Sequence, residues 1–163
     1  MTFCWASTMA QTGLPPRLTG NVDDQTRCCC GPPAARKLLA QLGYDLEEAE
    51  VRRRYEAVSK ATDHALLVAG QDGAVIGWLH LYVRPALDKP PEVVVQALVV
   101  DEAARGTGVG RNLMETAELW AAERGFTSVA LTSHIARSEA HTFYQRLGYR
   151  IDATSHLMRK RSA

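Results

Sequence analysis

No apolar run in this chain approaches the roughly 18 residues that cross a bilayer, and no basic segment followed by an apolar core opens it. The expectation is a cytoplasmic protein with no membrane contact. Charge of one sign is also missing: 19 Lys and Arg stand against 18 Asp and Glu, a net charge of +1. A nucleic-acid partner needs a basic footprint, and none is present. Cysteine is scarce, at four residues, three of them consecutive as Cys28-Cys29-Cys30. Adjacent side chains diverge too far to form a tetrahedral site or a disulfide framework, so free thiols and no metal are expected. Disorder of the whole chain is excluded by 46% hydrophobic and 23% charged residues, an ordinary globular composition. A length of 163 residues suits one domain with a real core.

Residues 1–33 are irregular in pattern, broken by Pro15-Pro16, Gly20-Asn21 and Gly31-Pro32-Pro33, with a short strand possible only around Arg17-Leu18-Thr19. Residues 34–163 carry the periodic elements of a single domain. Leu38, Leu39 and Leu42 form a helical stripe from Ala34 or Ala35 to Leu42, stopped by Gly43. Asp45 then caps a second helix over Leu46 to Ser59, whose Glu47, Glu48 and Glu50 precede Arg52, Arg53 and Arg54 by about a turn. That charge run reads as a solvated face rather than a basic patch.

A hairpin follows: His64 to Ala69, a turn at Gln71-Asp72-Gly73, and Ala74 to Val83. In its second arm Val75, Gly77, Leu79, Leu81 and Val83 share one face, and Ile76, Trp78, His80 and Tyr82 the other. Val93 to Val100 reads as a central strand buried on both faces. Val109, Leu113, Ala117, Trp120 and Ala121 mark a helix ending near Gly125. Ser128 to Thr132 is a short strand and Ser138 to Leu147 a helix closed by Gly148. Tyr149-Arg150-Ile151 and Ser155 to Arg159 offer two last strands. The class is α/β or α+β with one strand-loop-helix crossover.

The crossover contains Arg105-Gly106-Thr107-Gly108-Val109-Gly110-Arg111, a run in which glycines let successive N–H groups face one concavity at a helix start. An anion, most naturally a phosphorylated ligand, fits there. A Walker loop needs Lys after its last glycine, where Arg111 is followed by Asn112, so an ATP-binding domain is disfavoured. A dinucleotide fingerprint needs a later third glycine and an acidic end to the next strand, where this chain has Leu131-Thr132-Ser133.

Arg-x-x-Gly-x-Gly after Leu98-Val99-Val100-Asp101 resembles the acyl-CoA signature of the GCN5-related N-acetyltransferase (GNAT) superfamily. Glu139-Ala140-His141-Thr142-Phe143-Tyr144-Gln145-Arg146-Leu147-Gly148-Tyr149 is similar to that family's Ala-x-x-Phe-Tyr-x-x-x-Gly-aromatic motif. The resemblance implies a mixed, mostly antiparallel sheet splayed at its fourth strand and flanked by about four helices. It implies acetyl-CoA as cosubstrate, with the main chain of Leu98, Val99 and Val100 along the pantetheine arm. Arg105, Gly106, Thr107, Gly108, Val109, Gly110 and Arg111 would hold the pyrophosphate. Ser138 and Arg146 are weaker contacts from the last helix, and Tyr144 would protonate the departing thiolate.

The implied reaction is direct attack of a primary amine, on a small molecule or a peptide, on the thioester. The family's usual glutamate on the fourth strand is replaced here by Gln96, an amide that orients but cannot act as base. His80 titrates near neutrality and is one substitute, though a histidine resting on a sheet face is the plainer account. His134 stands in the same position, and His141 belongs to packing or surface. Trp78, His80, Tyr82 and Gln96 form the expected acceptor wall. Asp45 and Glu47 would suit a cationic acceptor such as a polyamine, aminoglycoside or lysine side chain if they were not helix-start residues. The alternative is a CoA-binding regulatory or degenerate module without turnover. Family members are often dimers, so a homodimer is the assembly the resemblance points to.

Overall fold

A computed structural model describes Thr2–Ala6 as backbone and residues 32–161. Arg17-Leu18-Thr19 and Cys28-Cys29-Cys30 lie outside the described residues. The chain divides into two units between Thr132 and Ser133.

The first unit is a five-stranded sheet in the order β1-β2-β3-β4-β5, with β1 Thr2–Ala6, β2 His64–Gln71, β3 Ala74–Arg84, β4 Glu92–Val100 and β5 Val129–Leu131. β1 to β4 pair antiparallel, and β5 runs parallel to β4. β1 corrects the expectation of an irregular start, since Thr2 to Ala6 pair with Gly70 to Leu66. Its formation depends on the open edge of β2, which local alternation does not reveal. The β2–β3 turn is two residues, Asp72 at φ 50° and Gly73 at φ 76°, the left-handed pair of a type I′ hairpin.

Four helices are described: α1 Pro32–Gln41, α2 Glu48–Lys60, α3 Val109–Glu123 and α4 Ser138–Arg146. α1 starts earlier than the leucine stripe suggests because proline suits the first helical turn. Asp45 does not cap α2: the N-cap is Glu47, which makes no side-chain cap bond. The Leu46 carbonyl instead accepts from Arg36 Nε at 2.9 Å, holding the link in an extended path. Downstream the charge run behaves as a solvated face, with Arg52 on Glu48 at 3.0 Å and Arg53 and Arg54 on Glu50 at 2.8 and 2.6 Å.

α3 buries Val109, Leu113, Met114, Ala117, Trp120 and Ala121. It packs on the sheet face carrying Gly77, Leu79 and Leu81, all buried. Gly77 is required by that approach: a Cβ there would lie 3.0 Å from the Val99 carbonyl oxygen, 3.2 Å from Val109 Cγ1 and 3.3 Å from Leu113 Cδ1. Burial of β4 on both faces holds for Val93, Val94 and Val95 and then lapses, because Gln96 is exposed and Ala97, Leu98 and Val100 are only partly covered, with Val99 alone buried past the break.

In the second unit, α4 ends at Gly148 with φ 94°. The two final strands are not found: residues 150–161 are exposed and form no strand. Ile151, Leu157 and Met158 stand open to solvent, and alternation without a paired edge does not make a strand.

Candidate active site

Two features open β4 toward a ligand. Its parallel pairing with β5 covers only Val93 to Val95 against Val129 to Leu131. Its register with β3 shifts between His80 and Leu81: Ala97 faces His80, Val95 faces Leu81, and Gln96 is the extra residue of a bulge. Past the bulge the ladder alternates. Asp101 N–H donates to the Ile76 carbonyl at 2.8 Å, so the main chain of Val99 turns toward Trp78 while that of Leu98 and Val100 turns to the unpaired side. Arg105 Nε reaches the Val100 carbonyl from that side at 3.3 Å.

The glycine run then builds, from backbone, a helix start of the kind that favours an anion. Gly106 and Gly108 adopt φ 78° and 91°, conformations that cost other residues roughly 1–2 kcal/mol. No atom would obstruct a Cβ at either position, so these glycines are there for conformation rather than space. Gly108 is the N-cap of α3, and the first N–H to bond back along the helix is that of Asn112, to the Gly108 carbonyl at 3.0 Å. The N–H groups of Val109, Gly110 and Arg111 precede it, without intrahelical acceptors, at the positive end of the helix dipole. Thr107 Oγ1 is spent on the Ala104 carbonyl at 2.7 Å. Arg105 and Arg111 stay half exposed, 3.6 Å from Glu102 and 3.8 Å from Glu115, loose pairs that leave both guanidiniums accessible.

The loop is braced from α1 by residues that the sequence pattern did not single out. Asp101 Oδ1 accepts the Ala103 N–H at 3.1 Å, and Oδ2 pairs with Lys37 Nζ at 2.8 Å. The Lys37 ammonium first, and then the Ala103 amide, hold this carboxyl below its usual range. Gln41 Oε1 accepts the Glu102 N–H at 3.1 Å. An Asp at a strand end before a short helix is a readable cap signal, whereas its Lys37 partner lies 64 residues away.

On the sheet face away from Gly77 lies a cavity of about 380 Å³, between α1 and α2 and strands β2 to β4. It brings together Trp78, His80 and Gln96 with Tyr44, Arg54 and Tyr55. Val51, Tyr55 and Val58 line it at helical spacing, a stripe visible in the sequence. Trp78 Nε1 is buried without an acceptor among the described residues. Tyr82 is not in the lining but stacks on His64, ring centroids 5.3 Å apart. His80 is lowered to about 4, by burial first and by His64 second.

The second unit holds the other motif. Phe143 and Tyr144 meet edge to face at 5.1 Å, as do Tyr144 and Tyr149 at 6.1 Å. Burial raises the Tyr144 phenol above its usual value, against a smaller opposite effect of Arg137. Ser138 and Arg146 stand at the two ends of α4. His134 Nδ1 accepts the Ala136 N–H at 3.2 Å, which ties this ring to its own turn.

The model of the acetyltransferase (GNAT) family matches residues 33–149. The chain belongs to that family. The GNAT chain is 27% identical over 124 residues to the uncharacterized N-acetyltransferase YhdJ of Bacillus subtilis, covering 76% of this chain and 86% of that protein. It is 38% identical over 82 residues, half of its length, to mouse N-alpha-acetyltransferase 80, of which it spans only 24%. Its fold superposes on the aminoglycoside N-acetyltransferase AAC(6')-Iy in complex with CoA, with a TM-score of 0.73 at 22% identity, covering 80% and 89% of the two chains. The GNAT chain is thus an acetyl-CoA-dependent N-acetyltransferase. The open edge of β4 and the free amides at the start of α3 suit that cosubstrate.

Proposed function

We propose that this GNAT enzyme acetylates a primary amine, on a small molecule or peptide, that enters the cavity beside Gln96. The observation that carries the reading is the meeting of that cavity with the bulge where β4 opens: Gln96 and Ala97 line it, and Leu98 and Val100 follow directly. Arg105 to Arg111 hold the pyrophosphate of acetyl-CoA, and the main chain of Leu98 and Val100 holds its pantetheine arm. A main-chain N–H of this segment polarises the thioester carbonyl. Gln96 orients the amine, whose nitrogen forms the new bond to the carbonyl carbon as the carbon–sulfur bond breaks. Tyr144, kept protonated by its raised pKa, gives its proton to the leaving thiolate.

Among the described residues lining the cavity, Arg54 is the charged side chain and no carboxylate takes part. This favours an amine on an apolar or aromatic body over a polycation such as an aminoglycoside, the compound class named for AAC(6')-Iy. The enzyme works in the cytoplasm, apart from nucleic acid and membranes, and a homodimer is the assembly to look for by light scattering. Among the described residues no helix is long and apolar enough to cross a membrane.

The test is thiol release from acetyl-CoA with a panel running from 2-phenylethylamine to spermidine and kanamycin. Turnover is expected with the arylalkylamine first. Tight acetyl-CoA binding without thiol release on any amine would restore the alternative of a regulatory module.

A further inference from the structure

Gln96 leaves the amine's proton without an acceptor, and the cavity floor contains an arrangement that supplies one. His64 Nδ1 and His80 Nε2 are 2.8 Å apart. The rings stack at 5.1 Å with an interplanar angle of 26°. On the far side of His64, Nε2 lies 3.7 Å from Asp63 Oδ1, at a carboxylate about half exposed. The three residues form a line from solvent through a partly buried histidine to the histidine that lines the cavity.

Chemistry assigns the hydrogens along that line. A carboxylate accepts only, and although 3.7 Å is too long for a direct hydrogen bond, the negative charge of Asp63 favours the His64 tautomer whose hydrogen is on the nitrogen facing it. A neutral imidazole has one N–H, and His64 Nδ1 is then an acceptor. His80 Nε2 must donate to it, which leaves the lone pair of His80 on Nδ1. We infer that Asp63 and His64 are positioning residues that set the His80 tautomer, making His80 Nδ1 the base that takes the amine's proton in the proposed transfer. This rests on the reading that the amine occupies the cavity.

The step balances. As the nitrogen–carbon bond forms, the amine's proton passes to His80 Nδ1. The Nε2 proton of His80 moves to His64 Nδ1, and the Nε2 proton of His64 leaves to water beside Asp63. The thiolate takes the Tyr144 proton, so each group is restored by exchange with solvent. With its pKa lowered to about 4, His80 is neutral throughout the neutral range. It is too weak a base for a free alkylammonium, but the nitrogen becomes far more acidic once bonded to the carbonyl carbon. The other titratable groups around His80 are Tyr82 on its own strand and, at the cavity, Tyr44 from the link before α2 and Arg54 and Tyr55 from α2; α1 lines the cavity with apolar side chains. None of these is a carboxylate that would pull a proton onto His80.

The test uses the full chain with acetyl-CoA and 2-phenylethylamine. Nitrogen-15 NMR of the imidazoles should show wild-type His80 as the Nε2–H tautomer and Asp63→Asn with a mixture. His64→Phe, which keeps a stacked ring, should lose about tenfold in kcat with the KM for acetyl-CoA unchanged. His64→Ala, which leaves the ring's space open, should lose a similar amount and recover with added imidazole, which a structural defect would not do. His80→Ala should lose about a hundredfold and be rescued likewise. Trp78→Ala, measured in parallel, should raise the KM of the amine. If it does and His64→Phe keeps wild-type kcat, or if wild-type His80 is the Nδ1–H tautomer, the relay is overturned while the cavity reading stands. If Trp78→Ala leaves the amine KM unchanged, the cavity reading fails and the relay falls with it.

Discussion

The proposed donor site and the proposed acceptor cavity are built from different materials. The donor loop is backbone: consecutive residues from Leu98 to Arg111 supply amides, two left-handed glycines and a helix start. The cavity is side chain: Tyr44, Tyr55, Trp78, His80 and Gln96 come from a link, a helix and two strands spread over more than 50 positions. A backbone site depends on conformation, and its glycines are constrained one by one. A side-chain site depends on which faces meet, and its residues are exchangeable as long as the sheet and helices stay in register. The first can be common to many acetyltransferases, while the second can differ in each.

That contrast can be broken by mutation, starting with the residue assigned to neither half. Tyr144→Phe should lower kcat by about a hundredfold with both KM values near wild type, measured by thiol release. A change confined to KM would make the phenol a binding group instead. Gly108→Ala should weaken acetyl-CoA by about tenfold in calorimetry, since the left-handed backbone costs roughly 1–2 kcal/mol. If binding survives intact, conformation is not what the loop depends on. Trp78→Ala should leave acetyl-CoA affinity unchanged and raise the amine KM by about fivefold, reflecting lost apolar contact. Loss of donor affinity in this variant would mean that the two sites are not separable.

Two smaller effects concern what holds the halves in place. Gly77→Ala should cost about 1–3 kcal/mol and lower the melting temperature, because β3, β4 and α3 must all give way to a methyl group. Acidification should act through His80. The folded pKa of about 4 lies below the ordinary 6.5, so the unfolded chain binds the extra proton between these values. Stability is therefore full above pH 6.5 and falls toward pH 4, by up to about 3 kcal/mol. Urea midpoints across that window check it, and His80→Phe should flatten the dependence. Asp101, depressed by Lys37 and the Ala103 amide, loses its contribution only at more acid pH.

Legibility follows the same division. The hairpin, the α3 stripe and the stops at Gly125 and Gly148 were readable because each depends on neighbours within a turn or a strand length. Asp45 as a helix cap failed for a tertiary reason: Arg36 holds the Leu46 carbonyl and keeps the chain extended to Glu47. β1 required a partner more than 60 residues away, and the two C-terminal strands lacked one among the described residues. Within the site, Trp78, His80 and Gln96 were placed together by the strand pattern, but His64 was not. Its ring meets His80 only through the diagonal of the β2–β3 register.

By itself the sequence determined the family and the glycine-built helix start proposed as the donor site, since glycine conformation and helix polarity are local properties carried by adjacent residues. Only the tertiary structure decided where β4 opens and that Gln96 is the extra residue of a bulge. It also decided which nitrogen of His80 faces His64 and which side chains wall the cavity. Those outcomes depend on register and on the approach of distant elements, and these are settled by packing over the whole sheet.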